Sequence, residues 1–140
     1  MRVRVALLLW LLILPASPLA AAAPPPVAVD VTAGGARLGR LTGEVQSRVT
    51  YFRLDDVARL VGATTRRAPH GDQATLVLRR KALEVRRDQA RVRADGRALT
   101  LTAPVRVRRG VWLVPGDLLV RALPAMLGRG VQVADRKSVV

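Results

Sequence analysis

The sequence predicts an α+β domain, mostly antiparallel β-meander and hairpins with two short helices in a single small domain, and two observations carry that prediction. A strand–corner–helix unit closed by glycine occurs twice, and the segments around the two copies are short, alternate apolar with polar residues and end at turn residues.

Residues 1–23 begin with Arg2 and Arg4, continue as an uncharged apolar run over 5–14, and end in Ala20, Ala21, Ala22 and Ala23. This is the layout of a signal peptide. The run is too short to span a bilayer as one helix, and Pro15 and Pro18 interrupt its continuation through the alanines. Cleavage is expected near Ala22 or Ala23, the alternative being an uncleaved anchor. Residues 24–26 make a linker and residues 27–140 the folded domain, large enough to bury roughly two-thirds of its unfolded surface. The chain has no cysteine, so no disulfide can support it.

Val27, Val29 and Val31 alternate with Ala28 and Asp30, Gly34-Gly35 offers a turn, and residues 36–41 return as the partner strand. Residues 43–48 are polar and lead into the first unit. There a strand over 49–54 gives way to a helix from Asp55, with Leu54, Val57, Ala58 and Val61 as its apolar stripe and Gly62 as its stop. Residues 63–72 start extended and end as a loop around Pro69 and Gly71.

Next comes a meander, with strands over 75–78 and 83–86 joined by a basic turn at 79–81, and a corner at 87–89. Strands over 90–94 and 97–101 flank Asp95-Gly96, the pair best suited to a two-residue hairpin turn. That turn sets Ala94 opposite Arg97, Val92 opposite Leu99 and Ala90 opposite Leu101. One face is then almost wholly apolar, and the other carries Arg91, Arg93 and Thr100. Ala103-Pro104 turns the chain, and residues 105–107 alternate again.

The second unit spans 109–128. Gly110 suits a tight turn, residues 111–114 form an apolar strand, Pro115 removes a backbone donor and Asp117 is placed to cap a helix. Leu118, Leu119, Ala122, Leu123 and Met126 recur at helical spacing, Pro124 kinks or restarts the last turn, and Gly128 stops it. Aligning Phe52 with Val114 puts Asp55 opposite Asp117, an internal echo whose second copy is longer by about one helical turn. Residues 131–133 and 138–140 bracket Ala134, Asp135, Arg136 and Lys137 as a last hairpin, which reads as truncated at its C-terminal strand.

Catalytic chemistry finds few groups to work with, and no catalytic, cofactor-binding or metal-binding residue is assigned. His70 is the only histidine, with Asp72 its sole nearby acid, too few ligands for a metal. Ser47 and Ser138 lie in no nucleophile elbow, and Gly34-Gly35 is too short to cradle a phosphate. Asp55 and Asp56, adjacent on a helix, point about 100° apart and suit capping better than acid–base work.

Charge is the strongest functional signal. Without residues 1–23 the 24 basic residues lose Arg2 and Arg4 and stand against 10 acidic ones, a formal +12, and Lys81 and Lys137 are the only lysines. Either a compositional bias towards arginine or an anionic partner accounts for it. Arg79, Arg80, Lys81, Arg86, Arg91 and Arg93 are the residues expected to meet an anion, lining one edge and face of the meander. Nucleic acid is not the expected partner: beyond residue 23 the only aromatics are Tyr51, Phe52 and Trp112, all in the strand–helix units where burial is expected. A cell-wall polymer or an anionic envelope surface is.

Taken in order, residues 51–62, 90–105 and 114–128 resemble the copper amine oxidase N-terminal-like domain. The first and last match its tyrosine-valine-proline-leucine-helix-glycine signature. The middle one matches its aspartate-glycine hairpin and the alanine-proline segment after it, and Arg53 departs from the pattern where the family usually has proline. The resemblance covers residues 49–140 and implies a stalk or accessory module of secreted bacterial proteins, without copper or quinone chemistry. The variant present here is similar to the region ahead of the catalytic domain in some N-acetylmuramoyl-L-alanine amidases.

The expected function is therefore a non-catalytic, secreted or periplasmic, envelope-associated accessory or stalk module that binds anionic cell-wall polymer. The alternative is the N-terminal non-catalytic region of a zinc N-acetylmuramoyl-L-alanine amidase whose peptidoglycan-cleaving domain lies beyond Val140. A further expectation is sheet pairing with another chain through the edge at Val139 and Val140.

Overall fold

Two-residue turns whose residues both take positive φ organise the strands. They occur at Gly34-Gly35, Ser47-Arg48, Asp95-Gly96 and Arg109-Gly110, and their backbone twist matches that of the strands they join. In the computed structural model, which describes residues 26–135, these turns connect β1 (Pro26–Ala33) to β2 (Ala36–Gln46), β2 to β3 (Val49–Arg53), β7 (Arg91–Ala94) to β8 (Arg97–Thr100), and β9 (Arg106–Arg108) to β10 (Val111–Pro115). The expected signal segment, most of the linker and the edge at Val139 and Val140 lie outside the described residues.

The remaining elements are α1 (Leu54–Val61), β4 (Thr64–Arg67), β5 (Gln73–Leu78), β6 (Lys81–Arg86), α2 (Asp117–Arg121), α3 (Leu123–Leu127) and β11 (Val131–Asp135). They build two antiparallel sheets, one of six strands in the order β11-β1-β2-β3-β10-β9 and one of five in the order β4-β5-β6-β7-β8. The architecture is α+β, a single small domain. The helices bridge the sheets: α1 packs on β2, β3 and β10 of the first and on β4 of the second, α2 meets β11, and α3 meets β6 and β7. Buried side chains from both sheets and all three helices, Val31, Phe52, Leu76, Leu83, Val114 and Leu118 among them, form one apolar core.

The internal echo has a spatial counterpart. β3 and β10 are neighbours, with Phe52 opposite Val114, Arg53 opposite Leu113 and Tyr51 opposite Pro115. The aligned pair Phe52 and Val114 thus lies at the centre of the β3–β10 ladder, about which the flanking pairs Arg53–Leu113 and Tyr51–Pro115 are exchanged, and the β2–β3 hairpin on one side of it is matched by β9–β10 on the other.

Several expectations are corrected. Residues 43–46 are not a polar lead-in but the end of β2, where Glu44, Val45 and Gln46 pair with β3. The turn there, Ser47-Arg48, has φ of 49° and 67° without glycine or asparagine, so nothing in composition marks it. The aspartates do not cap. The N-cap positions are Arg53 and Gly116, one or more residues earlier, and neither helix has a side-chain cap hydrogen bond. Inside the first turn, Asp55 pairs with Arg67 and Asp56 with Arg59, while Asp117 Oδ2 accepts from the Thr102 amide; their charge still favours the helix N-terminus. Among the described residues there are three helices and not two, because Pro124 has no N–H for the carbonyl four residues back and the chain breaks at Ala122. Finally, Ala134 and Asp135 are not hairpin residues; β1 offers Asp30 and Val29 as partners, and β11 runs on through them.

The unmarked turn carries a stability prediction. A side chain in the left-handed region costs about 1 kcal/mol, part of which glycine returns through its looser unfolded chain. Arg48→Gly is therefore expected to stabilise the domain by about 0.5 kcal/mol and raise Tm by a few degrees, whereas Arg48→Ala, which keeps the strain, gives no gain. Thermal unfolding of the two variants checks this.

Candidate functional site

The five-stranded sheet turns one face to the core and one to solvent. In β5, β6 and β7 the buried Ala74, Leu76, Leu83, Val85, Val92 and Ala94 alternate with side chains on the outer face. The ladder carries a row across all five strands: Arg66, Thr75, Glu84, Arg93 and Ala98, each opposite the next. With strands about 4.8 Å apart, Arg66 and Arg93 rise from the sheet about 14 Å from each other. Arg86 ends β6 and Arg91 opens β7, so the joining loop brings both to one end of the face. Arg91 lies one strand repeat, about 7 Å, from Arg93.

Of the six residues expected to meet an anion, the fold thus gathers Arg86, Arg91 and Arg93, all exposed. Arg79 and Arg80 form the exposed turn at the far end of β6, with Arg79 at a φ of 56°. They lie at the other end of the face. Lys81 leaves the set: it is half-buried, and its Nζ donates to the Ala125 carbonyl of α3 at 3.2 Å. Arg66 is the addition. Its place was in principle readable from the phase of residues 64–67 once β4 is registered on β5, a pairing that local spacing does not supply.

Ion pairs are gathered elsewhere. Asp30 is met by Arg37 and Arg40 at 3.3 and 3.5 Å, Asp55 by Arg67 at 3.1 Å, Asp56 by Arg59 at 4.0 Å, Asp117 by Arg121 at 3.9 Å, and Glu44 by Arg108. These pairs belong to the six-stranded sheet, the helices and the inner side of β4. Among the described residues, none of Arg66, Arg79, Arg80, Arg86, Arg91 and Arg93 forms one. Glu84 is the only acid on the outer face of the five-stranded sheet among the described residues, against four arginines.

A second feature lies on the outer face of the six-stranded sheet, a groove of about 910 Å³. Tyr51, Val111 and Leu113 form its floor. Tyr51 and Leu113 point away from the main core yet are only 2% and 5% exposed, because Ala103 packs over them and the Tyr51 hydroxyl donates to the Pro104 carbonyl at 3.0 Å. Arg53, Arg108 and Arg109 stand around the groove with Glu44 and Asp56. Among the described residues, no group of three or more histidine, cysteine, aspartate or glutamate side chains gathers to hold a metal, and no helix is long and apolar enough to cross a membrane.

Compared with protein-family models, with curated proteins and with solved structures, the chain matches none.

Proposed function

We propose that the chain is a non-catalytic, secreted or periplasmic accessory or stalk module of the cell envelope, which holds an anionic cell-wall polymer on the outer face of its five-stranded sheet. The observation that supports this reading is the placing of Arg66, Arg86, Arg91 and Arg93 on one face, whose strands carry Glu84 as their only acid there among the described residues, with Asp88 in the loop between Arg86 and Arg91. Like charges on neighbouring strands work against the fold, and a bound polyanion relieves them while gaining charge-assisted hydrogen bonds. Guanidinium groups suit both carboxylate and phosphate, so the polymer's anion is either.

The signal-peptide layout of residues 1–23 supports a place outside the cytoplasm, and the resemblance to the copper amine oxidase N-terminal-like domain supports a stalk or accessory role. Nucleic acid fits the face poorly. Tyr51, Phe52 and Trp112 are at most 4% exposed, so none is a stacking platform.

Co-sedimentation of the purified protein with cell-wall sacculi tests the reading. Because the arginines are exposed, the attraction is screened by salt: binding is expected to fall about tenfold between about 0.05 and 0.5 M sodium chloride. No sedimentation at low salt, or binding that persists unchanged through the series, overturns it.

A further inference from the structure

We infer that the groove on the six-stranded sheet is a second, separate binding site, for a small amphiphilic anion: a carboxylate or phosphate joined to an apolar body. Three observations converge on that chemistry. The volume, about 910 Å³, is within the range that takes a drug-sized ligand. The floor is preorganised, since Tyr51 and Leu113 sit on the paired strands β3 and β10 and are pinned from behind by the strands and from one side by Ala103 and the Tyr51–Pro104 hydrogen bond. That bond occupies the phenol, and with Tyr51 and Leu113 buried the apolar surface of the floor is offered by the half-buried Val111 above them, which suits an apolar body.

The charges select the sign of the head group. Both acids of the groove are already engaged, Glu44 by Arg108 and Asp56 by Arg59. Arg53 and Arg109 form no ion pair among the described residues, so two guanidiniums of the rim are uncompensated. Arg53 stands at the junction of β3 and α1, and Arg109 at the β9–β10 turn with a φ of 52°, so both are carried by short, defined backbone. An anion between them meets two forked donors, and its apolar part lies on Val111 over the buried Tyr51 and Leu113. The polymer face lies on the other sheet, so the two sites load independently.

Fluorescence titration with 8-anilinonaphthalene-1-sulfonate, with decyl phosphate as competitor, reads the site. The wild-type protein is expected to bind the dye saturably and to release it to decyl phosphate, but not to inorganic phosphate or decanol, each of which has half the required chemistry. Arg53→Glu/Arg109→Glu is expected to weaken binding about tenfold or more, and Arg86→Glu/Arg91→Glu to leave it unchanged. Equal competition by decanol, equal loss in both double variants, or wild-type binding by the groove variant with unchanged circular dichroism overturns the assignment. Should the groove variant not fold, methyl chemical shifts of the wild type decide: decyl phosphate is expected to move Val111 and Leu113, and shifts confined to Val77 and Val92 overturn it.

Discussion

Gly43→Ala is expected to cost about 3 kcal/mol, a large share of what holds a domain of this size together, and to lower the denaturant midpoint accordingly. Gly43 lies in β2 directly beneath the aromatic ring that β3 sends into the core. A Cβ there would come within 2.6 Å of the Tyr51 carbonyl oxygen and 2.8 Å of the Phe52 ring. The oxygen belongs to the central ladder and cannot retreat without pulling β3 away from β2. Nor can the ring: on its other side Gly116 leaves it so little room that a Cβ at that position would lie 3.2 Å from it.

Phe52 is thus held between two glycines, one on each half of the repeated unit, and it sits opposite Val114 where the two halves meet. A double-mutant cycle separates the two obstacles. Phe52→Ala alone is expected to cost about 4 kcal/mol through the cavity it leaves. In that background Gly43→Ala should cost at least about 1 kcal/mol less than in the wild type, because the ring clash is gone and the clash with the Tyr51 oxygen remains. Additive costs in urea unfolding would mean that residue 43 and the ring do not confront each other.

Local agreement decides what can be read in this sequence. Around Asp95-Gly96 the turn chemistry, the period-two alternation and the apolar count point to one register, and Ala94 opposite Arg97 and Val92 opposite Leu99 are what the fold contains. Leu101 likewise donates to the Ala90 carbonyl. The restart at Pro124 is equally local, a missing donor in a helix. The Ser47-Arg48 turn has no such marker, since its residues take left-handed conformations that serine and arginine do not announce.

Contacts between distant segments are harder. Asp117 has the spacing of a cap, but the Thr102 amide fifteen residues earlier claims its carboxylate. Lys81 follows two arginines in a basic run, and only the docking of α3 on β6 shows that it faces the other way. The groove depends on β3 and β10 lying side by side, a pairing of residues about sixty apart, with Ala103 folded over their outer face. No periodicity within a strand encodes that. The arginines of the outer sheet face fall between these cases: the alternation of β7 announces Arg91 and Arg93, while Arg66 joins them only through the register of β4.

The charge-reversal variant Arg86→Glu/Arg91→Glu/Arg93→Glu is expected to lose sacculus binding by at least about tenfold while remaining folded. The three side chains are exposed and form no ion pair among the described residues, so the changes at Arg86 and Arg91 should each alter stability by no more than about 0.5 kcal/mol, and that at Arg93 by about 1 kcal/mol because it sets a second carboxylate opposite Glu84. Loss of an attraction and gain of a repulsion then act together on the polymer.

The comparison that matters is with an equal change of charge placed elsewhere. Arg48→Glu/Arg106→Glu/Arg129→Glu alters the net charge by the same amount, at exposed positions away from the five-stranded sheet. If the surplus of arginine attracts the polymer only through the overall field, the two triple variants lose binding alike. If the face is a site, the first loses far more than the second, and the difference persists at salt concentrations where distant charges no longer reach the polymer. Equal losses would return the surplus of arginine to a bias of composition, since the net charge is common to both variants and only the arrangement of the guanidiniums on one flat sheet differs.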